Sequence, residues 1–244
     1  MKTERYQKRF YRHKINRSGL FVMDLAEGET GLRIITDRPA DKNFIRSRMR
    51  KYRGDIERYI TRDRRFSTAL KPLAVELQAP LIVKDMSRAA KKANVGPMAA
   101  VAGAIAKFLG KDLLRRGYKE VIIENGGDIF LKIRKATTVG IYSGGSKFTG
   151  LSLRINPKDT PLGICTSSGT VGHSLSFGLA DAVVILAKDA SLADAVATAA
   201  ANRVKSKSDL YLAADFTQSI TGVLGVVIII KNSMASWGKV EFAP

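Results

Sequence analysis

Three stretches of this chain place oxygen or nitrogen side chains at spacings that chemistry can use. In Ala193–Ala199, Asp194 and Thr198 stand four residues apart, so on a helix their oxygens share one face about one turn apart. Two hard oxygens so placed suit Mg2+, completed by carbonyls, waters and a ligand phosphate. They suit equally a helix start in which Ser191 is the cap and Asp194, three residues on, closes a capping-box-like pair. In the second stretch Cys165, Thr166, Ser167 and Ser168 run into Gly169–Thr170–Val171–Gly172, a supply of short donors for an anion or a polar cofactor. His173 follows, an imidazole placed either as a base or as a satisfied structural residue of a loop. The third stretch is Glu124–Asn125–Gly126–Gly127–Asp128. Its glycines allow positive φ and expose backbone N–H groups to a pyrophosphate or a ring edge, although Asn–Gly is also the turn of a plain β-hairpin.

Other chemistries are excluded. There is no GxxxxGK[ST] phosphate loop, and no GxGxxG follows a strand. Gly172–His173–Ser174–Leu175–Ser176 begins like a hydrolase elbow, but Ser176 stands where that turn requires glycine. One cysteine and two histidines (His13, His173) cannot build a Cys/His zinc site or an internal disulfide. Cys165, in an apolar run, reads as a small core residue rather than a nucleophile.

The elements that must position these residues follow from the hydrophobic pattern. Leu20–Leu25 and Leu32–Thr36 read as strands, and Asp41–Arg65 as a helix that Gly54 weakens. Pro80–Lys84 reads as a short strand and Asp85–Asn94 as a polar helix. A small-residue helix, Met98–Leu114, follows Gly96–Pro97. Strands are expected at Lys119–Ile123, Ile129–Arg134, Thr138–Tyr142, Leu151–Ile155, Gly163–Thr166, Ala182–Ala187 and Val223–Ile230, with a second small-residue helix at Ser191–Asn202. Strands outnumber helices without strict alternation, which favours an α+β fold. No linker marks a boundary, so residues 1–244 read as a single domain, with a basic segment at 1–70 and a core at 71–244.

Read together, five segments resemble the ApbE superfamily of FAD:protein FMN transferases, and most closely its small uncharacterised branch. Gly103–Ala104–Ile105–Ala106–Lys107 with Asp112 resembles the family's GAIAKG-xxx-D helix, and Asn125–Asp128 its N-x-GGD/E turn. Gly140–Gly145 reads as a strand running into a loop, by itself a plain turn, which on the resemblance would line the same pocket with the hydroxyls of Ser143 and Ser146. Cys165–His173 looks like a shortened S-x-SG tract running to the family histidine, without the Asp–Pro pair that follows there. Ala193–Ala199 closely resembles the ADALATA helix. The resemblance implies an ApbE-like fold of two T-fold-like halves, with mixed or antiparallel sheets packed with helices. It implies FAD or FMN as ligand, held by Asn125, Gly126, Gly127, Asp128, Thr166, Ser167, Ser168, Gly169 and Thr170. Mg2+ would sit on Asp194 and Thr198, and His173 would be the catalytic base. FMN transfer to a protein acceptor, hydrolysis of FAD, and binding without turnover all remain open on this resemblance.

Composition bounds the partners. The 244 residues carry 41 Lys+Arg against 22 Asp+Glu, a formal charge of +19, and just over half of that excess lies in residues 1–65. A hydrophobic share of 45% excludes a disordered chain. Tyr6, Phe10, Tyr11, Tyr52 and Tyr59 among the basic residues would fit nucleic acid, but no recognition motif accompanies them. A basic surface equally attracts a dinucleotide or an acidic partner. The N-terminus does not read as a targeting segment, and the uncharged run Phe216–Ile230 is too short for a membrane span. A cytoplasmic protein is expected, free of membrane and compatible with a homo-oligomer.

Overall fold

The computed structural model describes residues 19–169 and 178–243. Its centre is an eight-stranded sheet whose neighbouring strands are all antiparallel. The strands are β1 (Phe21–Glu27), β2 (Thr30–Thr36), β3 (Val121–Asn125), β4 (Asp128–Lys132), β7 (Leu162–Ser167), β8 (Ala182–Ala187), β9 (Val223–Ile230) and β10 (Ser233–Gly238), in that spatial order. Each half of the sheet repeats one plan, two strands, then helices, then two strands. In the first half the insertion is α1 (Lys42–Arg62), α2 (Arg65–Thr68), α3 (Leu81–Ala93) and α4 (Val101–Arg115); in the second it is α5 (Ala190–Ala201) and α6 (Leu210–Gln218). A small sheet of β5 (Thr137–Gly140), β6 (Ser152–Ile155) and β11 (Phe242–Ala243) completes the α+β fold.

Strand alternation explains why there are two cores. Successive side chains point to opposite faces. Val183 and Ile185 of β8 therefore join Ile123, Phe130 and Ile228 in the core that packs against the helices. Val184 and Leu186 join Ile122, Leu131 and Ile229 in a second core with Val139, Leu153 and Ile155 of the small sheet. A strand covered on both faces has no polar side to show, which is why 182–187 and 226–230 are unbroken apolar runs.

The helices start where local chemistry allows. Asp41 caps α1 by accepting the Phe44 N–H at 3.0 Å. Gly54 does not interrupt the helix, whose Ile45, Met49, Tyr52, Ile56 and Tyr59 are buried. Tyr52 and Tyr59 thus belong to the core, and Arg48, Arg50, Lys51, Arg53, Arg58 and Arg62 are ion-paired with the chain's own carboxylates. The expected strand at Pro80–Lys84 is instead the first turn of α3. Its apolar run continues a helical pattern, with Ile82, Val83, Met86, Ala89, Ala90 and Ala93 all buried. Met98–Leu114 divides into a 3-10 turn at Pro97–Ala100 and then α4. No expectation covered α6, β10 or β11. The strand β10 (Ser-Met-Ala-Ser-Trp-Gly) carries too little apolar alternation to be read, and it exists because β9 offers it an edge. Among the described residues no single helix is long and apolar enough to cross a membrane.

Asp112 joins α4 to α1. It is buried and accepts from Arg48 Nε at 2.6 Å, from the Tyr52 hydroxyl and from Arg115 at 3.2 Å. Burial, and then the bond to Asp112, pushes the Tyr52 phenol up to about 12. Asp112→Ala leaves Arg48 and Tyr52 without their acceptor and lowers unfolding free energy by about 2–3 kcal/mol in a denaturant titration. Glu76→Ala, which breaks only the exposed Arg62–Glu76 pair, changes it by less than about 0.5 kcal/mol.

Candidate functional site

Strands β3, β4 and β7 and helix α5 bring Asn125, Asp128, Ser167 and Asp194 to the helix-facing side of the large sheet. The hairpin β3–β4 pairs Asn125 with Asp128, leaving Gly126 and Gly127 as a two-residue turn with φ of 68° and 105°. Positive φ at both positions is the primed-turn geometry that suits the strand twist, so the hairpin account of these glycines holds. Asn125 does more than turn. Its Nδ2 donates to the Ala102 carbonyl at 3.2 Å, tying the hairpin to the start of α4. Asp128 pairs across to Cys165 on β7 and therefore shares the helix-facing side with it.

The same alternation divides the hydroxyl tract. Ser167 pairs with Val183, a residue of the helix-side core, whereas Thr166 pairs with Val184, a residue of the other core. Thr166 and Ser167 therefore point to opposite faces, and the tract does not converge as a row of donors. Ser168 Oγ lies 3.5 Å from the Ala180 carbonyl, and the Gly169 N–H donates to that carbonyl at 2.9 Å. Thr170 and His173 lie outside the described residues. Ser143 and Ser146 hydrogen-bond one another at 2.7 Å and are buried, so their hydroxyls serve their own loop.

Helix α5 supplies Asp194 and Thr198, both partly exposed. Neither half of the capping account survives. Asp189 is the cap, accepting from Ser191 N at 2.9 Å and Leu192 N at 3.3 Å, while Ser191 Oγ donates to Asp85 at 2.6 Å. Asp194 is left to face α4, where its Oδ2 accepts the Gly103 N–H at 2.8 Å. Glycine is required at 103 by this approach, since a Cβ there would lie 2.3 Å from the Ala190 carbonyl oxygen and 2.8 Å from Asp194 Cβ.

Electrostatically the site is short of positive charge. Burial pushes the Asp194 carboxyl up to about 7, with the Gly103 and Ala102 N–H groups pulling it back. Asp128 is raised well above the usual carboxylate range, first by burial and then by the charges of Asp194 and Glu124. Its Oδ1 is buried and has no hydrogen-bond partner among the described residues. Cys165 is raised too, by burial and then by Asp128 and Asp194, and its Sγ contacts the Ala190 carbonyl. It remains a protonated core thiol.

Asp128 and Asp194 are neighbouring carboxyls held up by burial, and a positive charge between them would favour their ionised forms. Among the described residues no three His, Cys, Asp or Glu side chains are arranged to hold a metal ion by themselves. A hard cation here would take Asp194, the Thr198 hydroxyl, backbone carbonyls and ligand oxygens, a donor set that fits Mg2+. Sequence reasoning missed the polar cluster of Lys107, Asp85, Asp189 and Ser191 behind the site. The available signal was a lysine one helical turn after Gly103 in an otherwise apolar run.

An antiparallel α+β protein whose two halves insert helices between strand pairs, with a carboxylate-bearing small-residue helix over the sheet, has the ApbE-like fold. Solved structures agree in fold. The flavin transferase ApbE from Vibrio cholerae matches with a TM-score of 0.58 at 14% identity, covering 90% of this chain and 96% of that one. The ApbE protein from Thermotoga maritima matches with a TM-score of 0.55 at 12% identity, covering 88% and 96%. The family model described as AbpE bacteria matches residues 12–220, and the chain belongs to that family. Its relatives include a UPF0280 protein of Methanocella arvoryzae, 43% identical over 211 residues and 86% of each chain. Another, from Methanosarcina acetivorans, is 39% identical over 213 residues, 87% of this chain and 84% of that one.

The Asp194 shift carries a sign. The carboxyl ionises near 3.8 in the unfolded chain and near 7 in the folded one, so folding takes up a proton between those values. With divalent cations chelated, this group's contribution to stability is complete below about pH 4 and is lost as the pH rises through about 7. Asp194→Asn flattens that slope in thermal melts recorded from about pH 4 to 8. Gly103→Ala drives α4 and α5 apart and costs about 1–3 kcal/mol, measured by denaturant unfolding.

Proposed function

We propose that the chain binds the flavin dinucleotide FAD with Mg2+ and cleaves or transfers at its pyrophosphate, as a member of the ApbE-like proteins. The observation that carries this reading is the pair Asp128 and Asp194, two neighbouring carboxyls raised by burial beside backbone N–H groups at the start of α4. Such a site is incomplete without a cation, and a pyrophosphate brings the oxygens that complete its shell. The fold shared with flavin transferases supports flavin as the dinucleotide. We further propose that the described strands and helices act as one unit in this, in a cytoplasmic protein.

In this reading Asp194 and Thr198 hold Mg2+, which when bound supplies positive charge against the pyrophosphate. The Gly126–Gly127 turn, Asn125 and Asp128 form one wall, and Ser167, Ser168 and Gly169 border the other. Asn125 keeps the α4 terminus against the hairpin through the Ala102 carbonyl. His173, with Thr170 on the segment between Gly169 and Gly178, takes the proton of an acceptor hydroxyl. That oxygen bonds to the FMN-side phosphorus, the bond to the bridging oxygen breaks, and AMP leaves with it. A Ser or Thr hydroxyl of a protein acceptor yields a phosphoester; water yields FMN.

Equilibrium binding of FAD, FMN and AMP, each with Mg2+ and with EDTA, tests the reading. FAD binds with Mg2+ and loses at least about tenfold in affinity with EDTA or in Asp194→Ala, about 1.4 kcal/mol or more. Equal FAD affinity in all three conditions, or no flavin binding in any, overturns it. His173→Ala retains FAD binding and loses release of AMP, followed by flavin fluorescence.

A further inference from the structure

Lys107 is the only buried lysine or arginine among the described residues. Its ammonium donates to both oxygens of Asp85, each at 2.7 Å, and to Asp189 Oδ2 at 2.5 Å. The two oxygens of Asp189 have separate tasks. Oδ2 meets Lys107 while Oδ1 accepts the Ser191 and Leu192 N–H groups that open α5. Burial works to raise the Asp189 carboxyl, but the Lys107 charge and these donors outweigh it and hold it below the usual range. Ser191 Oγ closes the cluster onto Asp85 at 2.6 Å. Helix α3, through Asp85, and helix α4, through Lys107, therefore grip the first turn of α5 together.

The grip matters because of what α5 is made of. Its buried residues are mostly alanines, among them Ala193, Ala195, Ala197, Ala199 and Ala200. Methyl groups interlock weakly, so an alanine surface tolerates small slides and rotations that a leucine or phenylalanine would block. Directional polar contacts have to set its axial position. There are two on the same face of α4, one turn apart: the Gly103 N–H to Asp194, and the Lys107 ammonium to Asp189.

We propose that Lys107 is a positioning residue, fixing the axial position of α5 through Asp189 and Asp85 and so aiming Asp194 and Thr198 at the cation. This rests on the cation site of the proposed function. Partners behind a metal ligand commonly govern affinity by about 10–100-fold when removed. Mn2+ binding to the purified full chain, followed by electron paramagnetic resonance, provides the readout. Lys107→Met and Asp189→Asn each weaken Mn2+ binding about 10–100-fold; asparagine still caps the helix but loses the ion pair. The milder Asp189→Asn keeps the test decisive if Lys107→Met does not fold. Val196→Ala, a buried truncation on the same helix, lowers stability while leaving Mn2+ affinity within about twofold.

If the wild-type chain binds Mn2+ and folded Lys107→Met or Asp189→Asn binds it equally, the positioning role is wrong while the cation site stands. If Val196→Ala weakens Mn2+ as much as they do, general loosening replaces positioning. If the wild-type chain binds no Mn2+, the cation site itself fails, and the positioning role with it.

Discussion

The backbones of α4 and α5 meet at Gly103, and much of the site depends on that contact. Glycine lets the Ala190 carbonyl and the Asp194 Cβ come closer than any side chain at 103 would permit. The approach brings a main-chain N–H of one helix within 2.8 Å of a carboxylate on the other. Asp194 is thereby oriented from across the helix pair, and Ser191 is released to bind Asp85. The buried face of α5 is mostly alanine, which keeps its backbone close to its neighbours.

Charge is arranged in two layers. The chain as a whole carries a formal +19, which draws anionic ligands toward it over a long range. Locally the sign reverses: Asp128 and Asp194 stand close, raised by burial, with backbone N–H groups and the Cys165 thiol as their neutral partners. The buried ammonium of Lys107 does not spoil this, because Asp85 and Asp189 surround it.

Much of the fold was legible in the residues. The run 182–187 and the run 223–230 are strands over the bounds that their apolar, β-branched composition predicts, because burial on both faces removes all polar alternation. Helix α1 was legible from Ile45, Met49, Tyr52, Ile56 and Tyr59 at helical spacing. At 80–84 the reading failed, since a short apolar run looks the same in a strand and in a helix turn until the next buried residues are placed. The strand β10 had no signal of its own, as its pairing is supplied by β9.

For the site, the sequence by itself determined which groups are available: the Asp194–Thr198 spacing, the Gly126–Gly127 turn, the carboxyl of Asp128 and the run of small residues at 103–106. Covalent order and helical period are enough for that, since both act within a few residues. Only the tertiary structure decided their partners. It assigned the α5 cap to Asp189 and freed Asp194 for Gly103, and it sent Thr166 and Ser167 to opposite faces of the sheet. It also buried Lys107 between two aspartates, 22 and 82 residues away along the chain. These choices turn on which strand edge and which helix face come together, and on the cost of leaving a buried charge or N–H group without a partner. That cost is set by neighbours in space, which no local spacing encodes.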